Sequence, residues 1–242
     1  MARARLPAAR RALTILGGLL LLIVAGTIVL LLPVSGPKGQ GLSFDQALFT
    51  TVSAVTGTGL SIITPATDLS VFGQVILMLL MQIGGLGFVM TSIIVFRLLG
   101  RRVTLAERLT LRDSLGLPNN RNLATLSVLV LTGVLIIEMA GALLLWLLWA
   151  SHFPGPEGVW LAIFHAVAAF TNAGFDLFSG SPLAPNGPPQ DLGTLTVIAV
   201  LIFLGSIGLP VVSDLLQLRR RRRLADLSAI GEGHARTMAS MP

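Results

Sequence analysis

Charge is scarce in this chain. Asp, Glu, Lys and Arg make up 12% of its 242 residues, where soluble domains average about 25%. With 53% hydrophobic residues, that shortfall excludes an ordinary soluble domain. Cysteine is absent, which excludes disulfides, thiolate metal sites and a cysteine nucleophile. The three histidines are scattered and form no metal-ligand cluster. No nucleophile–base pair or ligand set stands out at membrane depth, so an enzyme is not expected. Aromatic residues are missing from the arginine run Arg219–Arg223, so the net charge of +6 does not point to nucleic acid.

What the chain has in quantity is apolar length. Four runs reach the roughly 20 residues needed to cross a bilayer: about Leu13–Leu32, Val71–Leu99, Leu123–Ala150 and Leu192–Leu218. The first has a basic start like a secretory signal, but Leu30-Leu31-Leu32-Pro33 is a poor cleavage site, so it is expected to be retained. All the arginines but Arg236 fall in three clusters. Arg3, Arg5, Arg10 and Arg11 precede the first run. Arg97, Arg101, Arg102, Arg108, Arg112 and Arg121 surround the middle connection, and Arg219–Arg223 follow the last run. The opposite loops hold one basic residue, Lys38, beside Asp45, Asp68, Glu157, Asp176 and Asp191. Positive loops stay in the cytoplasm, so a multi-pass protein with both termini inside is expected. A stop-transfer anchor accounts for Arg219–Arg223 better than a contact with lipid or a partner.

The second feature is a repeat. Ala47–Ile62 (ALFTTVSAVTGTGLSI) and Ala162–Leu177 (AIFHAVAAFTNAGFDL) share Ala, Phe, Val, Ala, Thr and Gly in register, about 115 positions apart. Each copy is too short to span, lies between two long runs and stops at a glycine turn. The expected fold is an all-α membrane protein with two parallel span–pore helix–span repeats, in the manner of potassium channels. It has four transmembrane helices and two re-entrant pore helices. The chain divides into a basic cytoplasmic N-terminus (1–12), a first repeat (13–99), a cytoplasmic connector (100–122), a second repeat (123–218) and a basic tail (219–242). Ser43 with Gln46 reads as a capping box. Gly155-Pro156-Glu157 places proline at a first helical position and an acid in the first turn.

A cation that leaves water for a membrane needs oxygens in place of its hydration shell, and rings of backbone carbonyls supply them. Such a backbone is non-helical at membrane depth, and glycine gives the dihedrals that aim successive carbonyls at one axis. The segments Thr56-Gly57-Thr58-Gly59 and Thr171-Asn172-Ala173-Gly174 fit this need, with Gly59 and Gly174 as pivots. A preceding helix would turn its negative C-terminal end toward the ion. Each later run carries a paired small-residue motif in which Gly84 matches Gly205 and Gly87 matches Gly208, with Pro210 beyond. Helix packing is the favoured reading of these glycines, with a hinge beneath the filter as the alternative. Glu138, inside the third run, is read as a hydrogen-bonding acid with a pore-helix threonine or a backbone amide as partner. His165 is expected to pack on the pore helix, and Asp214 to pair with Arg219–Arg223.

The filter segments, the stretch FGQVILMLLMQIGGLGFVMT and the stretch LGSIGLPVVSDLL resemble the Trk/Ktr (TrkH/KtrB-like) potassium transporters from about Ser43 to Arg223. The resemblance implies a potassium uptake protein of the bacterial inner membrane, with potassium as substrate, no bound cofactor, and sodium as a coupling ion in some members. It implies four repeats around one pore, filters centred on Gly59 and Gly174, and a cytoplasmic ring of nucleotide-binding regulatory subunits. Two repeats match here, so a truncated or split half of a pore subunit is expected. A second half or another copy would complete four filter loops. The alternative function is a non-conducting membrane scaffold or regulatory subunit of the same fold.

Overall fold

The computed structural model describes residues 8–87, 123–182, 184, 187 and 189–207. Among these, seven α-helices occur and no strand. Helix α1 (Ala8–Leu31) is a run of Leu, Ile, Val and Ala that ends just before Pro33, which cannot continue a helix. Helix α2 (Phe44–Thr56) starts at Ser43, whose backbone N–H donates to Gln46 Oε1 at 3.2 Å. The short α3 (Pro65–Asp68) is closed by Asp68, which accepts from the Thr64 N–H at 2.8 Å.

Helix α4 (Val71–Gly85) is capped by the Ser70 hydroxyl, which accepts from the Gly73 N–H. Helix α5 (Leu123–Trp149) is the longest, at 27 residues. Helix α6 (Pro156–Phe170) begins with proline after Gly155, as the sequence predicts. Helix α7 (Leu192–Ser206) is capped by Asp191, which accepts from the Thr194 N–H at 2.9 Å.

The run Val71–Leu99 is not one unbroken helix: α4 stops at Gly85, and Gly87 takes φ +80°, a left-handed conformation that glycine adopts without penalty. Among the described residues one helical segment, Val130–Trp149, is long and apolar enough to cross a membrane. Leu16–Leu31, Val71–Gly85 and Leu192–Ser206 are apolar but shorter. The connector 100–122, Gly208, Pro210, Asp214 and the arginine clusters at 97–121 and 219–223 lie outside the described residues.

The helices form two three-helix units. In the first, α2 packs on α1 and α4; in the second, α5, α6 and α7 pack mutually. The units meet where α4 lies on α6. The core runs through both and includes Leu30, Leu77, Met81, Leu145, Trp149 and Phe164, all fully buried. The outer faces are apolar as well: Leu13, Leu16, Leu20 and Leu21 on α1, Ile136, Met139 and Leu147 on α5, and Phe203 on α7 are exposed. Contiguous outward apolar faces of this kind suit lipid rather than water.

Polar groups tie the units together. Trp160 Nε1–H on α6 donates to Gln74 Oε1 at 2.8 Å, and Gln82 Nε2–H donates to Glu138 Oε2 on α5 at 3.1 Å. Gln74 and Gln82 sit about two turns apart on one face of α4, so a single helix face carries both bonds. The Glu138 partner is therefore a side-chain amide, not a pore-helix threonine or a backbone amide.

Candidate functional site

Helices α2 and α6 end in the same way. In the first unit the Gly57 N–H donates to Ala54 O at 3.4 Å and the Thr58 N–H to Ser53 O at 3.0 Å. In the second the Asn172 N–H donates to Ala169 O at 3.1 Å and the Ala173 N–H to Ala168 O at 3.0 Å. Back-bonds of this type satisfy the last free carbonyls of a helix once a left-handed residue turns the chain. That residue is Gly57 (φ +64°) in one unit and Asn172 (φ +57°) in the other. Thr56 and Thr171, each one position earlier, donate their hydroxyls to the carbonyls four residues back, Val52 and Val167, both at 2.8 Å. Gly59 (φ +76°) and Gly174 (φ +64°) supply the second left-handed step.

The two turns lie against each other. A Cβ on Gly59 would sit 2.8 Å from Ala173 O, and one on Gly174 3.8 Å from the Cα of Gly59. A Cβ on Gly57 would lie 3.5 Å from Thr171 O and 4.0 Å from Asn172 O. The carbonyls of Thr171, Asn172 and Ala173 thus stand beside the backbone of the first turn. The ends of α2 and α6 bring their partial negative charge to the same place. The eight filter residues named from sequence, four in each turn, are brought together.

The glycines of the later helices set the spacing. A Cβ on Gly84 would fall 2.2 Å from Val55 O, and one on Gly205 1.7 Å from Phe170 O. Val55 and Phe170 hold equivalent places just before the two turns, so each later helix rests on the end of its own short helix. Gly85, which sequence reading passed over, performs the contact between units, since its Cβ would meet the Thr171 side chain at 2.7 Å. Gln74 and Trp160 were passed over too. The available signal was a polar residue inside an otherwise apolar run.

The turns differ in cover. Thr171 and Ala173 are buried, whereas their counterparts Thr56 and Thr58 are exposed, with their hydroxyls 2.6 Å apart. Asn172 and Gly174 are exposed in turn and line a cavity of about 390 Å³ together with Trp149, His165 and Ile202. Ser206 on α7 donates its hydroxyl to Asn172 Oδ1 at 3.1 Å.

Behind the second turn, His165 is fixed by backbone. Nδ1 lies 2.7 Å from Leu161 O, and the Leu177 N–H points at Nε2 at 3.2 Å. It stacks on Phe178 and meets Trp149 edge-on. Trp149 Nε1–H in turn donates to Thr194 Oγ1 at 2.8 Å. Burial pushes the Asp176 carboxyl up. The His165 ring beside it, the Ser179 hydroxyl and the Phe178 N–H outweigh burial and hold the carboxyl well below the usual range.

Apolar outer faces around paired, glycine-ended helix turns define a helical membrane protein. Residues 11–235 match the model of the TrkH family, described as a cation transport protein, and the chain belongs to that family. It is 34% identical over 210 residues to the potassium/sodium uptake protein NtpJ of Enterococcus hirae, covering 87% of this chain and 46% of that protein. It is likewise 34% identical over 204 residues to the Ktr system potassium uptake protein B of Bacillus subtilis, covering 84% of this chain and 44% of the relative. The same identity holds over 192 residues with the Ktr protein B of Vibrio alginolyticus, covering 79% and 41%. The chain spans less than half the length of these relatives.

Proposed function

We propose that the chain supplies two filter turns of a potassium uptake pathway in the bacterial inner membrane. The carbonyls of Thr56, Gly57 and Thr58, and of Thr171, Asn172 and Ala173, replace the water shell of a passing ion. The observation that carries this reading is the contact of two turns with equivalent back-bonds and left-handed steps at the ends of two short helices. A pair of turns that only packed helices together would not need such matched geometry at the point where they meet. The family and the potassium uptake role in the names of the relatives supply the ion.

Two turns make half of a ring. Thr171 and Ala173 are covered by the first unit, while Thr56 and Thr58 have no such cover. We therefore place two further turns there, from a second polypeptide or a second copy, so that the pathway is closed on all sides. A cytoplasmic nucleotide-binding subunit on the arginine-rich side, where both termini lie, fits the Ktr system of the relatives. In this scheme α1, α4, α5 and α7 are spans and α2 and α6 are re-entrant pore helices.

The test is growth of a potassium-uptake-deficient bacterium at limiting potassium. Rescue by the chain, with any co-expressed partner, and its loss in Gly59→Ser and Gly174→Ser supports the filter. Rescue that survives both substitutions overturns it. No ion flux from the purified assembly in liposomes would favour a non-conducting scaffold instead.

A further inference from the structure

Glu138 lies near the middle of α5 with 3% of its surface exposed. Among the described residues it has no ion-pair partner. Its Oε2 accepts from Gln82 Nε2–H, while its Oε1 is buried without a hydrogen-bond partner. The amide oxygen of Gln82, on the same bonded pair, is also buried and unpartnered. A charged carboxylate offers only acceptors. It would leave both oxygens bare in a low-dielectric interior, where an unpaired charge is costly. One proton removes both deficits. Protonated Oε1 becomes a donor, and the unused acceptor on its bonded neighbour is Gln82 Oε1.

We propose that Glu138 retains a proton and closes a two-bond carboxylic acid–amide pair with Gln82, making a proton-binding site where the two units join. The pair joins α4 to α5 within one turn of Gly84 and Gly85, the residues of α4 that rest on Val55 and Thr171. The bound proton thereby holds α4 in the position that aligns both filter turns. Other titratable groups on elements packed against α5 lie toward its far end. His165 meets Trp149, about 16 Å along the helix from Glu138, and Asp191 bonds Thr194, the partner of Trp149. Glu157 opens α6 just beyond that end. None supplies a counter-charge to Glu138. The site does not depend on the conduction reading.

Infrared spectroscopy of the chain in lipid tests it directly. At neutral pH a carbonyl stretching band of a protonated carboxylic acid is expected. It should shift in deuterated water and be missing from Glu138→Gln, which keeps both hydrogen bonds and the fold. In Gln82→Leu the band should persist but move to higher wavenumber, because its hydrogen bonds are lost. Absence of the band from the unaltered chain would show an ionised Glu138, and its undiminished persistence in Glu138→Gln would assign it to another carboxyl; either result would overturn the proposal. A band unmoved in Gln82→Leu would overturn the pairing.

Discussion

Single residues in the two turns do different work from the same backbone positions. Asn172 holds φ +57° where the first turn has Gly57, and asparagine is one of the few side chains that tolerate that conformation. Asn172→Gly is expected to leave potassium uptake near the unaltered level. Asn172→Val, β-branched and strained there by about 1–2 kcal/mol, should reduce it about tenfold. Equal uptake by both variants would mean that the turn geometry does not matter.

Asp176 gives a pH expectation. Its folded-state pKa is held below the unfolded value of about 3.9. Its contribution to stability is therefore complete above that value and is lost progressively as pH falls from it through the lower folded-state pKa. Thermal unfolding in detergent should be flat near neutral pH and decline below about pH 4. In Asp176→Asn the acid decline should be shallower and the neutral-pH stability lower. An unchanged profile would contradict the bonded carboxylate.

At the scale of helices, the close contacts rank the glycines. Gly84 and Gly205 face backbone carbonyls, which cannot turn aside, while the Cβ added at Gly141 would meet the end of the Leu201 side chain, which can. Overpacking of the fixed kind costs about 1–3 kcal/mol. Gly205→Ala should thus lower the unfolding temperature clearly more than Gly141→Ala; the reverse order would contradict the packing described.

These helix ends also show how far the sequence could be read. Ser43, Gln46, Pro156 and Glu157 mark helix starts by local chemistry, and the starts fall where that chemistry puts them. The repeat located both turns, because Thr and Gly recur in register. The break at Gly85–Gly87 was legible only as the alternative to packing, since apolar periodicity runs through it and local sequence does not show the close approach of Val55 and Thr171. The partner of Glu138 was hidden for a related reason. Gln82 lies 56 positions away, and no local pattern joins an outer helix of one unit to the later helix of the other.

For the whole molecule, the two units make one body because α4 serves both. It rests on α2 through Gly84, reaches Thr171 through Gly85, and bonds α6 and α5 through Gln74 and Gln82. The arrangement fixes the two turns edge to edge, and it does so with groups whose hydrogen bonds survive in lipid. The proposed function rests on one central claim, which family membership and the matched turns support: a dehydrated monovalent cation binds among the main-chain oxygens of the two turns. Thallium, a potassium mimic with strong anomalous scattering, tests this in crystals of the uptake-competent assembly. The expected result is an anomalous peak between Thr56–Gly59 and Thr171–Gly174, lost in Gly59→Ser. A thallium-loaded crystal with no peak there, or with its peak elsewhere and unchanged by that substitution, would contradict the account.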